Sequence, residues 1–168
     1  MILLILGLGL AVTLFCLQRE WRPLPPDARA DRILVEKAAR RLTLFRGSAP
    51  LKTYRVALGQ SPNGPKGREG DRRTPEGVYS IDHHKRDSAF HLALHVSYPN
   101  PGDIARAAQQ GATPGGDIMI HGLRNGRGWI GALHRVRDWT SGCIAVTDAQ
   151  IEEIWRAVPD GTLIEIRP

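Results

Sequence analysis

Short runs of β-branched and aromatic residues, separated by polar or glycine-containing turns, constrain the fold of this chain most strongly. Such runs occupy residues 33–36, 42–45 and 52–58. Runs of this length and composition, bounded by turn residues, are typical of β-strands. The pattern therefore predicts consecutive antiparallel strands at the start of a β-rich domain.

The second half of the chain mixes further strands with short helices. The other predicted elements are strands at 78–81, 91–96, 117–120 and 162–166, a helix at 103–110 with Asp103 near its N-cap, and a helix opened by the capping box of residues 147–150. A chain of 168 residues supports one well-buried core. We therefore expect one domain, mainly β with a few short helices.

The first 18 residues carry no charged side chain and are mostly apolar. This length is close to the minimum for crossing a bilayer, about 17 residues, so residues 1–18 are predicted to be a transmembrane anchor or a signal segment. A basic n-region and a small-residue cleavage site are absent, which favours an uncleaved anchor. Residues 19–30 include Pro23, Pro25 and Pro26 and are interpreted as a spacer before the domain at 31–168.

The net charge of +6 favours polyanionic surroundings. Lysine and arginine are scattered and no aromatic-interleaved recognition motif accompanies them, so no nucleic acid partner is predicted. Histidines at positions 83, 84, 91 and 95 suggest a metal site, and His91 and His95 share a predicted strand face. A zinc site needs three or four ligands in fixed geometry. No such set is evident, and no metal is predicted.

Cys143 is the strongest candidate for a reactive residue. The other cysteine, Cys16, lies in the apolar N-terminus, so a disulfide between them is not expected and Cys143 is predicted to be a free thiol. His121 follows an apolar run and precedes Cys143 by 22 positions, as suits a Cys/His pair. An imidazolium beside the thiol would lower its pKa, and backbone amides of the Ser141-Gly142-Cys143 turn would stabilise an oxyanion. The alternative is a buried, inert cysteine.

Two motifs, Ile120-His121-Gly122 and Thr140-Ser141-Gly142-Cys143-Ile144-Ala145, resemble those of the L,D-transpeptidase catalytic domain, or YkuD-type, family. The resemblance covers roughly residues 31–168 and implies a β-sandwich-like domain that acts on peptidoglycan stem peptides. It implies Cys143 as the nucleophile, His121 as the base and the carbonyl of Gly122 as the group that orients the imidazole. It implies no metal or organic cofactor.

Two positions depart from the usual family motif. Ser141 stands where many members have His, and Ala145 stands where many have an Arg near the donor stem. The form Asp-Trp-Thr-x-Gly-Cys-Ile-Ala resembles a branch that includes hydrolases, so the acceptor is either an amine or water. Arg137, Arg135 and Arg124 are candidates to supply the missing cation.

Several neighbours of the motifs are interpreted as supporting or substrate-binding residues. Trp139 either walls the cleft or packs in the core, and His134 either lines the cleft or lies on a solvated loop. Ser141 is beside the thiol but also suits a turn.

The functional interpretation places the domain outside the cytoplasm, in the periplasm or cell envelope. Arg19 and Arg22, on the C-terminal side of the apolar segment, favour a cytoplasmic domain by the positive-inside rule. A cytoplasmic thiol enzyme therefore remains an alternative to a membrane-anchored acyl transferase. An inactive wall-binding module that keeps the fold is a further alternative.

Overall fold

A computed structural model of the protein describes residues 22–168. The predicted membrane segment at residues 1–18 lies outside this part of the chain. None of the helices between residues 22 and 168 has the length and hydropathy needed to cross a bilayer.

Strands dominate the described part of the chain, which confirms the predicted mainly β class. They are β1 (Arg32–Glu36), β2 (Arg41–Arg46), β3 (Ala49–Arg55), β4 (Gly77–Ser88), β5 (His91–Val96), β6 (Met119–His121), β7 (Ile144–Ala145) and β8 (Leu163–Arg167). Three short helices accompany them: α1 (Pro101–Gln109), a 3₁₀ helix (Gly128–Val136) and α2 (Asp148–Ala157).

The strands are hydrogen-bonded in the order β3-β2-β1-β8-β4-β5-β6-β7. β1, β2 and β3 pair antiparallel, as the sequence predicts. Two pairs are parallel, β1 with β8 and β6 with β7. Helix α2 connects β7 to β8, and in doing so carries the chain from one end of the strand order to its middle.

One hydrophobic core unites the two halves of the strand order and α2. Among its fully buried side chains are Ile33, Leu42, Leu44, Ile81, Leu94, Ile120, Ile144, Ile151, Ile154 and Ile164. Burying an aliphatic side chain of this size contributes about 1.5–3 kcal/mol. The eight strands form one hydrogen-bonded order around this core, and the sandwich-like arrangement stays a prediction. Leu24 and Ala30 also pack into this core, although the sequence assigned both to the spacer.

Helix caps account for both α-helix starts. Thr147 and Gln150 form the predicted capping box at α2. At α1 the N-cap is Asn100, and Asp103 is the third helical residue of a second capping box. Asp103 thus lies near the N-cap, as predicted, but the helix begins at Pro101 and not at residue 103, because proline is favourable in the first turn, where its missing N–H costs nothing.

Some strand boundaries differ from the prediction, and two elements were not predicted. A tight turn at Gly47, which has a positive φ of 58°, reverses the chain so that β3 pairs with β2 from Ala49 onward. β3 therefore covers residues 49–55 and not the predicted 52–58. Ala57 instead bridges to Ala145. β4 continues to Ser88 because β5 pairs along it. The two-residue β7 and the 3₁₀ helix lack a periodic apolar pattern, and for this reason they escaped prediction.

Candidate active site

Parallel pairing of β6 with β7 brings the two sequence motifs together. Ile120 lies opposite Ile144 and His121 opposite Ala145, so the residue before β7, Cys143, lies near the start of β6. Both Cys143 and His121 line a cavity of about 350 Å³. The strand register therefore places a thiol and an imidazole at one cavity, although 22 positions separate them in sequence.

The imidazole of His121 is buried and held in one orientation. Its Nδ1 lies 2.7 Å from the carbonyl oxygen of Gly122 and donates to it, which leaves Nε2 as the proton acceptor. The ring centroids of Phe90 and Trp139 lie 4.6 and 5.7 Å from that of His121. Burial lowers the pKa of His121, partly offset by the bond to Gly122. The ring is therefore neutral at pH 7.

The thiol of Cys143 is also neutral at pH 7. Its Sγ donates to the carbonyl oxygen of Asp117 at 3.5 Å. Burial raises the pKa of Cys143, and the backbone N–H of Met119 lowers it in part. Desolvation therefore acts against the imidazolium that the sequence analysis expects beside the thiol, and against the thiolate.

The turn before the thiol requires glycine at position 142. Gly142 has a φ of 140°, and a Cβ atom there would lie 2.7 Å from the carbonyl oxygen of Arg73. The amide of Gly142 donates to Thr140 Oγ1 at 3.1 Å, and this hydroxyl donates to the carbonyl of Cys143 at 2.7 Å. Ser141 is exposed and lines the cavity. Two hydrogen bonds from one threonine thus hold the turn that presents the thiol.

Asp148, the first residue of α2, fixes the chain after His121. Its Oδ1 accepts from the amide of Leu123 at 2.8 Å. A Cβ atom at position 122 would lie 2.8 Å from Asp148 Oδ1 and 3.0 Å from Ile151 Cγ2. Close packing against α2 therefore requires glycine at position 122, where the backbone carbonyl also accepts from His121. The capping box gave no indication of this role for Asp148.

Trp139 lies between the cavity of Cys143 and His121 and a second cavity of about 570 Å³. Trp139 and Phe90 line both cavities, so Trp139 walls the cleft. Its Nε1 donates to His134 Nδ1 at 3.3 Å. His134 Nε2 is buried without a hydrogen-bond partner among residues 22–168. Burial, with Arg135 nearby, lowers the pKa of His134 to about 4, so the ring is neutral at pH 7. Because Nδ1 accepts the hydrogen bond from Trp139, the single ring proton is on Nε2, which is therefore an unused donor.

The second cavity also collects arginines. Arg124, Arg127 and Arg137 line it, whereas the guanidinium of Arg135 contacts the carbonyl of Arg55 at 3.5 Å. Arg127 was not among the arginines singled out from sequence. Ala145, at the motif position where many family members have an arginine, is completely buried. The cations near the site therefore lie in the second cavity and not at position 145.

The remaining histidines separate into different clusters. His91 pairs with Glu152, whereas His95 and His83 both contact Asp82. The grouping of His91 with His95 on one predicted strand face is therefore wrong, since His91 adopts a left-handed φ of 67°.

Several cavity residues gave no signal in the sequence. Phe90 lies in the β4–β5 turn, Met119 starts a short strand, and Asp117 has an unusual φ of 54°. Lys85 and Ser88 reach the cavity from β4. None belongs to a motif, and only the pairing of β5 with β6 brings their segments to the thiol.

The thiol of Cys143 and the buried imidazole of His121 line one cavity of a mainly β domain. Together they form a candidate Cys/His site. The family of the L,D-transpeptidase catalytic domain, YkuD, matches residues 30–166. The chain belongs to this family.

Relatives of known name agree with that assignment. The chain is 32% identical over 121 residues to a protein of Escherichia coli K12 named "Putative L,D-transpeptidase YafK", a match that covers 70% of this chain and 41% of the relative. The structure resembles the helical cell shape determining protein Pgp2 of Campylobacter jejuni, with a TM-score of 0.63, 25% identity and coverage of 84% of this chain and 48% of Pgp2.

An L,D-transpeptidase of Xylanimonas cellulosilytica shares the fold, with a TM-score of 0.53 and 14% identity over 87% of this chain and 64% of that one. The chain spans less than half the length of YafK and of Pgp2.

Proposed function

We propose that the protein is a cysteine acyl transferase that acts on peptidoglycan stem peptides and cross-links them through a thioester at Cys143. The observation that carries this proposal is the position of Cys143 and His121 at one cavity, with His121 Nδ1 bound to the Gly122 carbonyl. This bond leaves Nε2 as the base. Membership of the L,D-transpeptidase family supports the substrate class.

The first half-reaction begins with two neutral groups. His121 Nε2 takes the proton of the Cys143 thiol as sulfur attacks the carbonyl carbon of the donor amide, and a C–S bond forms. The amides of Ser141 and Cys143 are the proposed oxyanion donors, since the Gly142 amide is bound to Thr140. The imidazolium then protonates the leaving amine, and the C–N bond breaks.

The second half-reaction returns the thiol. An amine of a second stem attacks the thioester carbonyl, His121 accepts the proton released by the amine, and the C–S bond breaks. Phe90 and Trp139 pack against the imidazole, and these contacts would limit the approach of water to the ring. An aromatic enclosure of this kind favours transfer to a bound amine over hydrolysis.

The second cavity is proposed to bind the anionic part of a stem peptide. Arg124, Arg127 and Arg137 supply positive charge, and His134 Nε2 supplies a buried donor. A buried donor without a partner costs about 1–3 kcal/mol, so a carboxylate or carbonyl oxygen of the substrate placed there would recover that cost.

Hydrolysis of the same thioester is the second candidate. It is favoured by the buried Ala145, which stands where the family motif usually has an arginine. The product is then a shortened stem or a released wall-linked group, formed by a carboxypeptidase or amidase.

The proposed location is the cell envelope, with residues 1–18 in the membrane. Because Leu24 packs in the core, the spacer reduces to residues 19–23, at most about 17 Å when extended. The domain would then lie close to the membrane surface. By its resemblance to Pgp2 we propose a role in cell-wall biogenesis and cell shape.

Mass spectrometry of the protein mixed with tetrapeptide muropeptides tests the function. Cross-linked dimers that are absent with Cys143→Ala support the transpeptidase. Shortened stems alone, again dependent on Cys143, favour the hydrolase. If wild-type protein gives neither a product nor an acyl-enzyme mass, the proposed donor is wrong.

A further inference from the structure

We propose that Asp82, His83 and His95 form a binding site for a divalent transition-metal ion of the Zn²⁺ type. The site lies on β4 and β5, outside the Cys143 and His121 pair. The proposal does not depend on the proposed acyl transfer.

The three side chains converge on one point. Asp82 Oδ1 lies 2.9 Å from His83 Nδ1 and 2.7 Å from His95 Nδ1. Taking one ligand atom from each residue, all three atoms lie within 4.8 Å of one another. The imidazole rings stack with centroids 4.6 Å apart and planes 19° from parallel. Two imidazole nitrogens thus face the same carboxylate oxygen.

A β-bulge in β4 produces this convergence. The register passes from Ile81 opposite Val96 to His83 opposite His95, so Asp82 is the extra residue. In a regular strand, neighbours such as Asp82 and His83 point to opposite faces. A bulge sets two residues against one and redirects a side chain. It therefore explains how both residues reach His95.

The donor set fits a borderline metal ion. Two imidazole nitrogens and one carboxylate oxygen are ligands that Zn²⁺ accepts, at bond lengths of about 2.0–2.2 Å. Ligand atoms in a tetrahedral site with such bonds lie about 3.3 Å apart. Asp82 and His83 are 40% and 55% exposed, so small side-chain movements achieve this spacing. Water would complete the coordination.

Asp117 is the candidate for an outer carboxylate at this site. Its Oδ1 lies 3.9 Å from His95 Nε2. A histidine that binds metal through one nitrogen commonly donates its other N–H to a carboxylate, which fixes the ring. Asp82 and Asp117 together supply two negative charges to a dication. The backbone carbonyl oxygen of Asp117 also accepts a hydrogen bond from Cys143 Sγ, so the segment at Asp117 lies between the proposed metal site and the thiol.

Calorimetric titration with Zn²⁺ tests the site. The protein is the full chain without a histidine tag, carrying Cys16→Ser and Cys143→Ala so that no thiol binds the ion. In this background one Zn²⁺ should bind per chain, and His83→Ala or Asp82→Asn should weaken binding at least tenfold. Asp117→Asn should weaken it by about tenfold. His84→Ala, next to His83 but paired with Asp160, is the matched control and should bind normally.

Two results would overturn the proposal: no binding below millimolar Zn²⁺, or equal affinity in His83→Ala and in its His84→Ala control. Thermal unfolding of each variant without metal checks that it folds. Imidazole nitrogen shifts of the unsubstituted histidines give a second readout. Zn²⁺ should move the Nδ1 resonances of His83 and His95 and leave that of His84 in place. The reverse pattern contradicts the site.

Discussion

His121 and Gly122 form the relationship on which the proposed chemistry depends: Nδ1 of the imidazole donates to the adjacent carbonyl oxygen over 2.7 Å. The bond fixes the tautomer, and burial lowers the pKa of His121 while it raises that of Cys143. Both groups therefore rest in their neutral forms. General-base attack, rather than a preformed thiolate, follows from this arrangement.

Alkylation of Cys143 should rise with pH and reach half of its maximum above about 8.5, the pKa of an ordinary thiol. Burial raises the pKa of Cys143, so the reactive thiolate forms only at higher pH. Iodoacetamide labelling of the Cys16→Ser chain, followed by mass spectrometry, measures the profile. Glutathione labelled in parallel corrects for the reagent. A rate already at its plateau at pH 7 would indicate a thiolate and contradict the neutral pair.

His121→Gln should reduce the rate of acyl-enzyme formation at least about 100-fold, because the variant has no base to accept the thiol proton. Stopped-time mass spectrometry of the acyl-enzyme gives this rate. His84→Gln is the control, since His84 pairs with Asp160 away from the cavity. An unchanged rate in His121→Gln would remove His121 from the mechanism.

Gly122→Ala should destabilise the fold by about 1–3 kcal/mol, since overpacking forces neighbouring atoms apart. The added Cβ would lie 2.8 Å from Asp148 Oδ1. Gly116→Ala is matched, because nothing lies within 4 Å of a Cβ there and no positive φ opposes the change. Urea unfolding measures both free energies. Equal stability of the two variants would show that α2 yields without cost.

The free energy of unfolding should fall as pH is lowered from about 6.5, the pKa of an unfolded histidine, to about 4, that of folded His134. In this window the unfolded chain binds more protons, so acid favours unfolding. A difference of about 2.5 between these two pKa values corresponds to about 3 kcal/mol.

His134→Gln should lose less stability than wild type between pH 7 and pH 4 in urea titrations. Arg46→Gln, which removes one positive charge at the exposed end of β2, is the control for general charge effects and should follow wild type. If His134→Gln also follows wild type, burial of His134 does not contribute to acid sensitivity.

Arg137→Ala and Arg127→Ala should each raise the KM for an anionic donor stem about fivefold, the equivalent of roughly 1 kcal/mol for a partly exposed ion pair. Both arginines line the second cavity. Steady-state kinetics separates this effect from kcat, which should change little. Arg46→Ala, at the end of β2, removes the same charge outside the cavity. A KM equal to that of Arg46→Ala would exclude donor binding by these arginines.

Local patterns predicted much of the framework. Strand periodicity placed β1, β2 and β5, and the capping box placed the start of α2, because these signals act between residues a few positions apart. The motifs at His121 and Cys143 indicated the candidate site through the same short-range order. A Cys/His site needs a histidine and a cysteine next to glycine-containing turns, and these residue types can be read from the sequence.

Tertiary structure alone decided what surrounds those residues. Phe90 meets His121 only after β5 pairs with β6, and Asp148 reaches Leu123 only when α2 packs on the chain after β6. The pKa values of the thiol and the imidazole depend on burial, which no local pattern specifies. The bulge that joins Asp82 to His95 depends likewise on strand register. Sequence thus determined which groups the protein carries, and long-range packing determined their partners, their solvation and their charge.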